Sequence, residues 1–253
     1  METVLAALAE QQEELTDLLV DLDADGWAHA SACEGWTVAD VVLHLAQTNE
    51  MATGSARGDF DGALASLTEG LPPIAGNVDD GAGLMVDHQR GAAPDELLER
   101  WTRSCADLRE ALHSRSPGDR VTWVAGEMAA RTLASTRLAE TWIHTGDVAE
   151  GLGVALEPDD RLWHVARLAW RTIPYAFARA GRAAPGRVSF ELVAPSGATW
   201  SFAEDGAPAD TIVRGPAHDL CRLAGQRADA AHTGLVAEGP DAAAVLELVR
   251  TYA

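Results

Sequence analysis

The chain contains no lysine: its 19 basic residues are all arginine, against 39 acidic residues, for a formal net charge of −20. A surface of that sign repels phosphate backbones and anionic lipid, which argues against nucleic acid and membrane as partners. Any fixed positive charge in a site must be a guanidinium, whose planar fork suits carboxylates. Cysteine is scarce too. Cys33, Cys105 and Cys221 are odd in number, widely spaced and without a Cys-x2-Cys pair, which argues against a disulfide framework or a zinc ribbon. Reduced, largely buried thiols are expected. No apolar run approaches the roughly 20 residues of a membrane span. The N-terminal METVLAALAEQQEEL has no basic start and soon turns acidic, unlike a secretory signal. A cytoplasmic location is the expectation.

With 253 residues the chain can bury one large core or two modest ones. Leucines at 5, 8, 15, 18, 19 and 22 predict an amphipathic helix over 4–22. After a loop from Gly26 to Gly35, Thr37 and Asp40 have the spacing of a helix cap, and the helix is expected to reach about Ala52. Residues 54–93, with Pro72-Pro73 inside, read as a long excursion with helical pieces at 62–69 and 80–90. A third long helix starts near Pro94 and closes at Pro117-Gly118. A short strand at 121–124 and a helix over 127–150, stopped by Gly151 and Gly153, follow. Four long helices by residue 150 make a four-helix bundle the expected architecture.

A further helix over 158–181 is placed with the bundle, and the character of the chain changes after Gly181. RVSFELVAP and GATWSFAE read as a hairpin around Pro195-Ser196-Gly197, ADTIVRG as a third strand and GLVAEG as another, with helices at 216–227 and 241–251. The expected fold class is α+β, divided into a helical domain, 1–183, and a small α+β domain, 184–253.

One helix face carries chemistry. Glu140 and His144 are four residues apart, so they stack on one side of their helix; Arg137 and Asp147 extend the same side by three residues each way. Ionisable groups facing a core are costly unless partnered, and a cation would offset that cost. His44 lies mid-helix in Val41-Val42-Leu43-His44-Leu45-Ala46. There it is either a hydrogen-bonded core histidine or a ligand. If the bundle joins the two helices, two imidazoles and one carboxylate leave open positions on an ion. Zinc suits that set first, with iron, nickel or manganese as alternatives. Asp147 is the natural orienting partner of a ligand histidine. Arg137 could hold a substrate carboxylate or form a salt bridge. Trp36, Trp123 and Trp142 read as core residues, or as a pocket wall.

The string Cys33-Glu-Gly35-Trp36-Thr37-Val38-Ala-Asp40-x3-His44 resembles the start of the mycothiol-dependent maleylpyruvate isomerase family, within the DinB-like bundle superfamily. The resemblance covers about 150 residues. It extends weakly over the last 70, where ADTIVRGPAHDLCRLAGQR resembles a sterol-carrier-like C-terminal domain. It implies a DinB-like bundle, metal ligands at His44, Glu140 and His144, mycothiol as a thiol cofactor, and an arginine from the C-terminal domain over the site, for which Arg214 and Arg222 are the candidates.

The expected activity is isomerisation or thiol transfer on a small electrophilic, carboxylate-bearing substrate. A thiolate adds to an electron-poor double bond; rotation and expulsion isomerise it, and stopping after addition leaves a conjugate. No cysteine lies beside the ligands in sequence, so the thiol is expected from a small molecule. The alternatives are a metal-water hydrolase or lyase without thiol, and a non-catalytic small-molecule binding protein.

Overall fold

The first long helix, α1 (Glu2–Leu19), buries Leu5, Leu8, Leu15 and Leu19 at helical spacing. In this computed structural model, which describes residues 1–72, 78–206 and 208–251, a one-turn helix, α2 (Ala24–Trp27), occupies part of the expected loop. Asp23 caps it by accepting from Gly26 N at 2.9 Å, and Trp27 enters the core. The next helix, α3 (Val38–Arg57), begins where its cap signal puts it. Thr37 Oγ1 accepts from Asp40 N at 3.2 Å, and Asp40 Oδ2 accepts from Thr37 N at 2.9 Å. Such a cap stabilises a helix by about 1 kcal/mol. The helix passes its expected end near Ala52 because Thr53, Ser55 and Ala56 are themselves buried, and it stops at Gly58, whose φ of 85° is left-handed.

Two short helices, α4 (Phe60–Leu67) and α5 (Val78–Gln89), begin about two residues earlier than expected. Pro73 lies outside the described residues. Pro94 opens α6 (Pro94–His113). A hairpin of β1 (Arg120–Trp123) and β2 (Gly126–Ala129) then replaces the single expected strand, with Trp123 opposite Gly126 and Gly126 at φ 101°. This second strand delays α7 (Ala130–Gly151) by three residues against expectation.

The chain divides into two compact units, Met1–Leu156 and Glu157–Ala253. In the first, α1, α3, α6 and α7 form a four-helix bundle: α1 packs on α6 and α7, and α3 packs on the same two. The short helices α4 and α5 and the strand β1 also lie against α3, which is buried almost all round. Side chains in the middle of α3 are interior whatever their polarity.

The second unit opens with α8 (Leu162–Arg179), the helix that the sequence places with the bundle. Compactness groups α8 with the sheet, so the two units meet at 156/157. Within its own unit α8 packs on the mixed sheet and on the helices that follow it. The sheet has the order β4-β3-β5-β6, from β3 (Val188–Val193), β4 (Thr199–Phe202), β5 (Thr211–Pro216) and β6 (Val236–Glu238). The β3–β5 pair is parallel and its neighbours are antiparallel. The helices α9 (Ala217–Ala224) and α10 (Ala242–Leu248) complete the unit. The molecule is thus α+β, and among the described residues no helix is long and apolar enough to cross a membrane.

Candidate metal centre

Helix α7 presents Arg137, Glu140, His144 and Asp147 at intervals of three, four and three residues, which is one continuous stripe of a helix. Arg137, His144 and Asp147 are buried, while Glu140 keeps 22% of its side-chain surface in contact with solvent. Helix α3 packs against this stripe and brings His44 to it from the other side. One turn on, Thr48 ties the two helices: its Oγ1 accepts from Arg137 Nη2 at 2.8 Å and donates to the His44 carbonyl at 2.9 Å.

Glu140 Oε2 lies 3.7 Å from His44 Nε2 and 3.7 Å from His144 Nε2. The two imidazoles meet edge to face with ring centroids 5.0 Å apart. All three ligand atoms fall within 4.8 Å of one another. At 3.7 Å these groups are not hydrogen-bonded. Donors about 2.1 Å from a tetrahedral ion stand roughly 3.4 Å apart, so the Glu140 carboxylate need close only slightly on each imidazole to share one with it. His144 Nδ1 sits 2.9 Å from Asp147 Oδ2. That contact holds the ring proton on Nδ1 and leaves the Nε2 lone pair facing Glu140. The donors therefore fit a divalent cation in element, spacing and tautomer.

Burial pushes the His44 imidazole below its usual value of 6.5, so it favours the neutral, ligating form; the nearby Glu140 only partly offsets this. Burial also acts to raise the Glu140 carboxyl, but the facing His44, then His144 and Arg137, outweigh it and hold the group at about 2. Glu140 is thus an anion at neutral pH. Arg137 is a fully buried guanidinium, and burial lowers its proton affinity. Its Nε has no hydrogen-bond partner among the described residues, nor does His44 Nδ1.

The loop before α3 closes one side. Trp36 lies against His44, with ring centroids 5.1 Å apart. Trp123 instead packs on Phe60, beside Met51, Leu67 and Met85, as a core residue. Ala32 N donates to the Asp147 carbonyl at 2.9 Å, which latches the loop onto α7. Gly151 permits that approach: a Cβ there would lie inside contact distance of the Ala30 carbonyl and 2.8 Å from Ser31 Cα. Gly151 is the last residue of α7, and its role is this clearance; Gly153, at φ 70°, turns the chain afterwards.

The loop also delivers a residue that spacing does not reveal. Cys33 Sγ lies within 4.8 Å of ligand atoms of His144 and Asp147. Its partners are more than a hundred positions away, so only the loop latch brings them together. Arg214 and Arg222 belong to the second unit and are engaged there. Arg214 pairs with Glu191 at 2.7 Å and Glu238 at 2.9 Å, and Arg222 donates to the Arg227 carbonyl at 3.1 Å.

Residues 8–149 match the family described as mycothiol maleylpyruvate isomerase N-terminal domain. The chain belongs to this family. Uncharacterized proteins from two strains of Mycobacterium tuberculosis are 34% identical to it over 252 residues, covering 98% of this chain and 95% of theirs. Crystal structures of mycothiol-dependent maleylpyruvate isomerase and of a point mutant of it superpose with a TM-score of 0.62 at 19% and 18% identity, over 95% of both chains. At that identity the likeness shows a shared fold. The region matched to the maleylpyruvate isomerase N-terminal family contains all of His44, Arg137, Glu140, His144 and Asp147.

Proposed function

We propose that the protein is a metal-dependent enzyme that uses a low-molecular-weight thiol to isomerise, or to conjugate, a small electrophilic substrate bearing a carboxylate. The observation that carries this reading is the convergence of His44, Glu140 and His144, with Asp147 fixing the His144 tautomer. In this reading those three side chains hold one divalent cation, zinc by donor type, with iron, nickel or manganese as alternatives. Such a cation, when bound, favours the anionic form of a thiol or of water.

The chain's own groups then have separate tasks. His44 and His144 bind through Nε2, and Glu140 supplies a ligand that is already ionised. Asp147 holds the Nδ1 proton of His144. Trp36 keeps water from the outer face of His44. Arg137 Nε, buried and unpartnered among the described residues, is the donor for a substrate carboxylate. Among the described residues no carboxylate comes within ion-pair distance of Arg137, which favours this role over a structural salt bridge.

Two features favour thiol chemistry over hydrolysis and over passive binding. Both carboxylates of the α7 stripe are committed, Glu140 to the imidazoles and Asp147 to His144, so neither is placed to activate water. A buried guanidinium near the His44 imidazole is costly for a fold that needs only packing. The mycothiol dependence named for the solved relatives makes mycothiol the first thiol to test.

The test is absorption spectroscopy of the cobalt-loaded Cys33→Ser chain, which removes the nearest protein thiol. A sulfur-to-cobalt band that appears on adding mycothiol supports the reading. No spectral change with any low-molecular-weight thiol contradicts it.

A further inference from the structure

Cys33, His144 and Asp147 form a second group of possible ligands, all within 4.8 Å of one another. The loop that carries Cys33 is tightly tied. Cys33 N donates to Ser31 Oγ at 3.1 Å, Trp36 N donates to the Cys33 carbonyl at 3.0 Å, and Ala32 N reaches the Asp147 carbonyl at 2.9 Å. Cys33 is partly exposed and in no disulfide. Asp147 faces Nδ1 of His144, whereas Glu140 and His44 lie on the Nε2 side.

A neutral imidazole has one lone-pair nitrogen and one N–H. His144 can therefore serve an ion on only one side at a time. With the proton on Nδ1 it belongs to the His44–Glu140 set; with the proton on Nε2 it belongs to the Cys33–Asp147 set. Sulfur, nitrogen and carboxylate together suit a thiophilic divalent ion.

We infer that Cys33, Asp147 and His144 form a second metal position, which takes a thiophilic divalent cation such as cadmium or zinc and competes with the His44–Glu140–His144 centre for the shared imidazole. On binding there, the Cys33 proton passes to solvent and the imidazole proton moves from Nδ1 to Nε2. No electrons are transferred. An ion in the second position removes His144 from the first, so excess thiophilic metal switches the centre off. The competition rests on the metal centre proposed above; binding at Cys33 does not.

The test is cadmium titration of the metal-free full chain, read by bound stoichiometry and by the thiolate-to-cadmium charge-transfer band in the ultraviolet. In His44→Ala and in the volume-keeping His44→Gln, both of which leave the second group intact, one cadmium should bind with the band. Adding Cys33→Ser to either should abolish the band. The wild-type chain should bind one cadmium in total, because the imidazole is shared. Circular dichroism matched to wild type confirms that each variant is folded. Absence of the band in both folded His44 variants, a band that survives Cys33→Ser, or two cadmium ions on the wild-type chain overturns the inference. Failure of the first centre reads differently: the Cys33→Ser chain would then bind no zinc.

Discussion

Asp147 Oδ2 lies 2.9 Å from His144 Nδ1, one turn further along the same helix, and decides which nitrogen of that imidazole faces Glu140 and His44. The contact gives a measurable role to an acid that does not itself join the His44–Glu140–His144 set. Changing Asp147 to Ala should lower zinc affinity by about 10- to 100-fold, the usual cost of losing a ligand's orienting partner. Asp147→Asn, which can still accept from Nδ1–H, should lose less. Competition against a chromophoric chelator measures both, and equal affinity in Asp147→Ala and wild type contradicts the role.

Arg137 separates stability from binding. Its guanidinium is buried and, among the described residues, makes one hydrogen bond, to Thr48. Replacing an unpaired buried charge by an apolar side chain of similar size removes its desolvation cost. Arg137→Met should therefore melt at the same temperature as wild type or higher, yet bind a small unsaturated carboxylate such as maleate at least tenfold more weakly. A clear fall in melting temperature with unchanged carboxylate binding would mean that Arg137 is structural.

The acid limb of stability follows from two groups. Burial lowers His44 from 6.5, so the unfolded chain takes up this proton at higher pH than the folded one. Its contribution is favourable above that value and is lost as pH falls through it and below. Glu140 is lowered from 4.5 to about 2, so its stabilisation is complete above 4.5 and lost as pH falls towards 2. The metal-free protein should thus melt at a lower temperature near pH 5 than near pH 7.5. His44→Gln should flatten the upper part of that profile and also shrink the fall below 4.5, since His44 is the first of the groups that hold Glu140 low. A profile unchanged by His44→Gln contradicts the assignment.

Gly151 should be intolerant although it is not one of the proposed ligands. A methyl group there meets the Ala30 carbonyl and Ser31 Cα, both backbone. Gly151→Ala must displace the loop that carries Cys33 and Trp36, at a cost of about 1–3 kcal/mol. A lowered melting temperature and weakened zinc binding are expected together. An unaltered melting temperature contradicts the latch.

The bundle and the stripe of candidate ligands on α7 were legible in the sequence because both depend on short-range periodicity. The spacing of Arg137, Glu140, His144 and Asp147 is a helical face, and the Thr37–Asp40 cap sets where α3 begins, hence which way His44 points. Cys33 was not legible as a neighbour of the ligands, since its approach to His144 depends on a loop bond from Ala32 to Asp147 and on the missing side chain of Gly151. The packing partner of α8 was illegible for a related reason. The apolar stripe of α8 shows that it packs, but not whether its partner is the bundle or the sheet. The strand β2 was hidden because Glu127, Met128 and Ala129 are good helix formers, and only pairing with β1 holds them extended.

The most direct measurement is calorimetric titration of the metal-free chain with zinc, for wild type and His44→Ala side by side in the Cys33→Ser background. If His44, Glu140 and His144 hold the ion, the chain with His44 binds one zinc per molecule and the His44→Ala chain, folded by circular dichroism, shows the affinity collapsed by orders of magnitude. Equal stoichiometry and affinity in the two proteins would remove the centre.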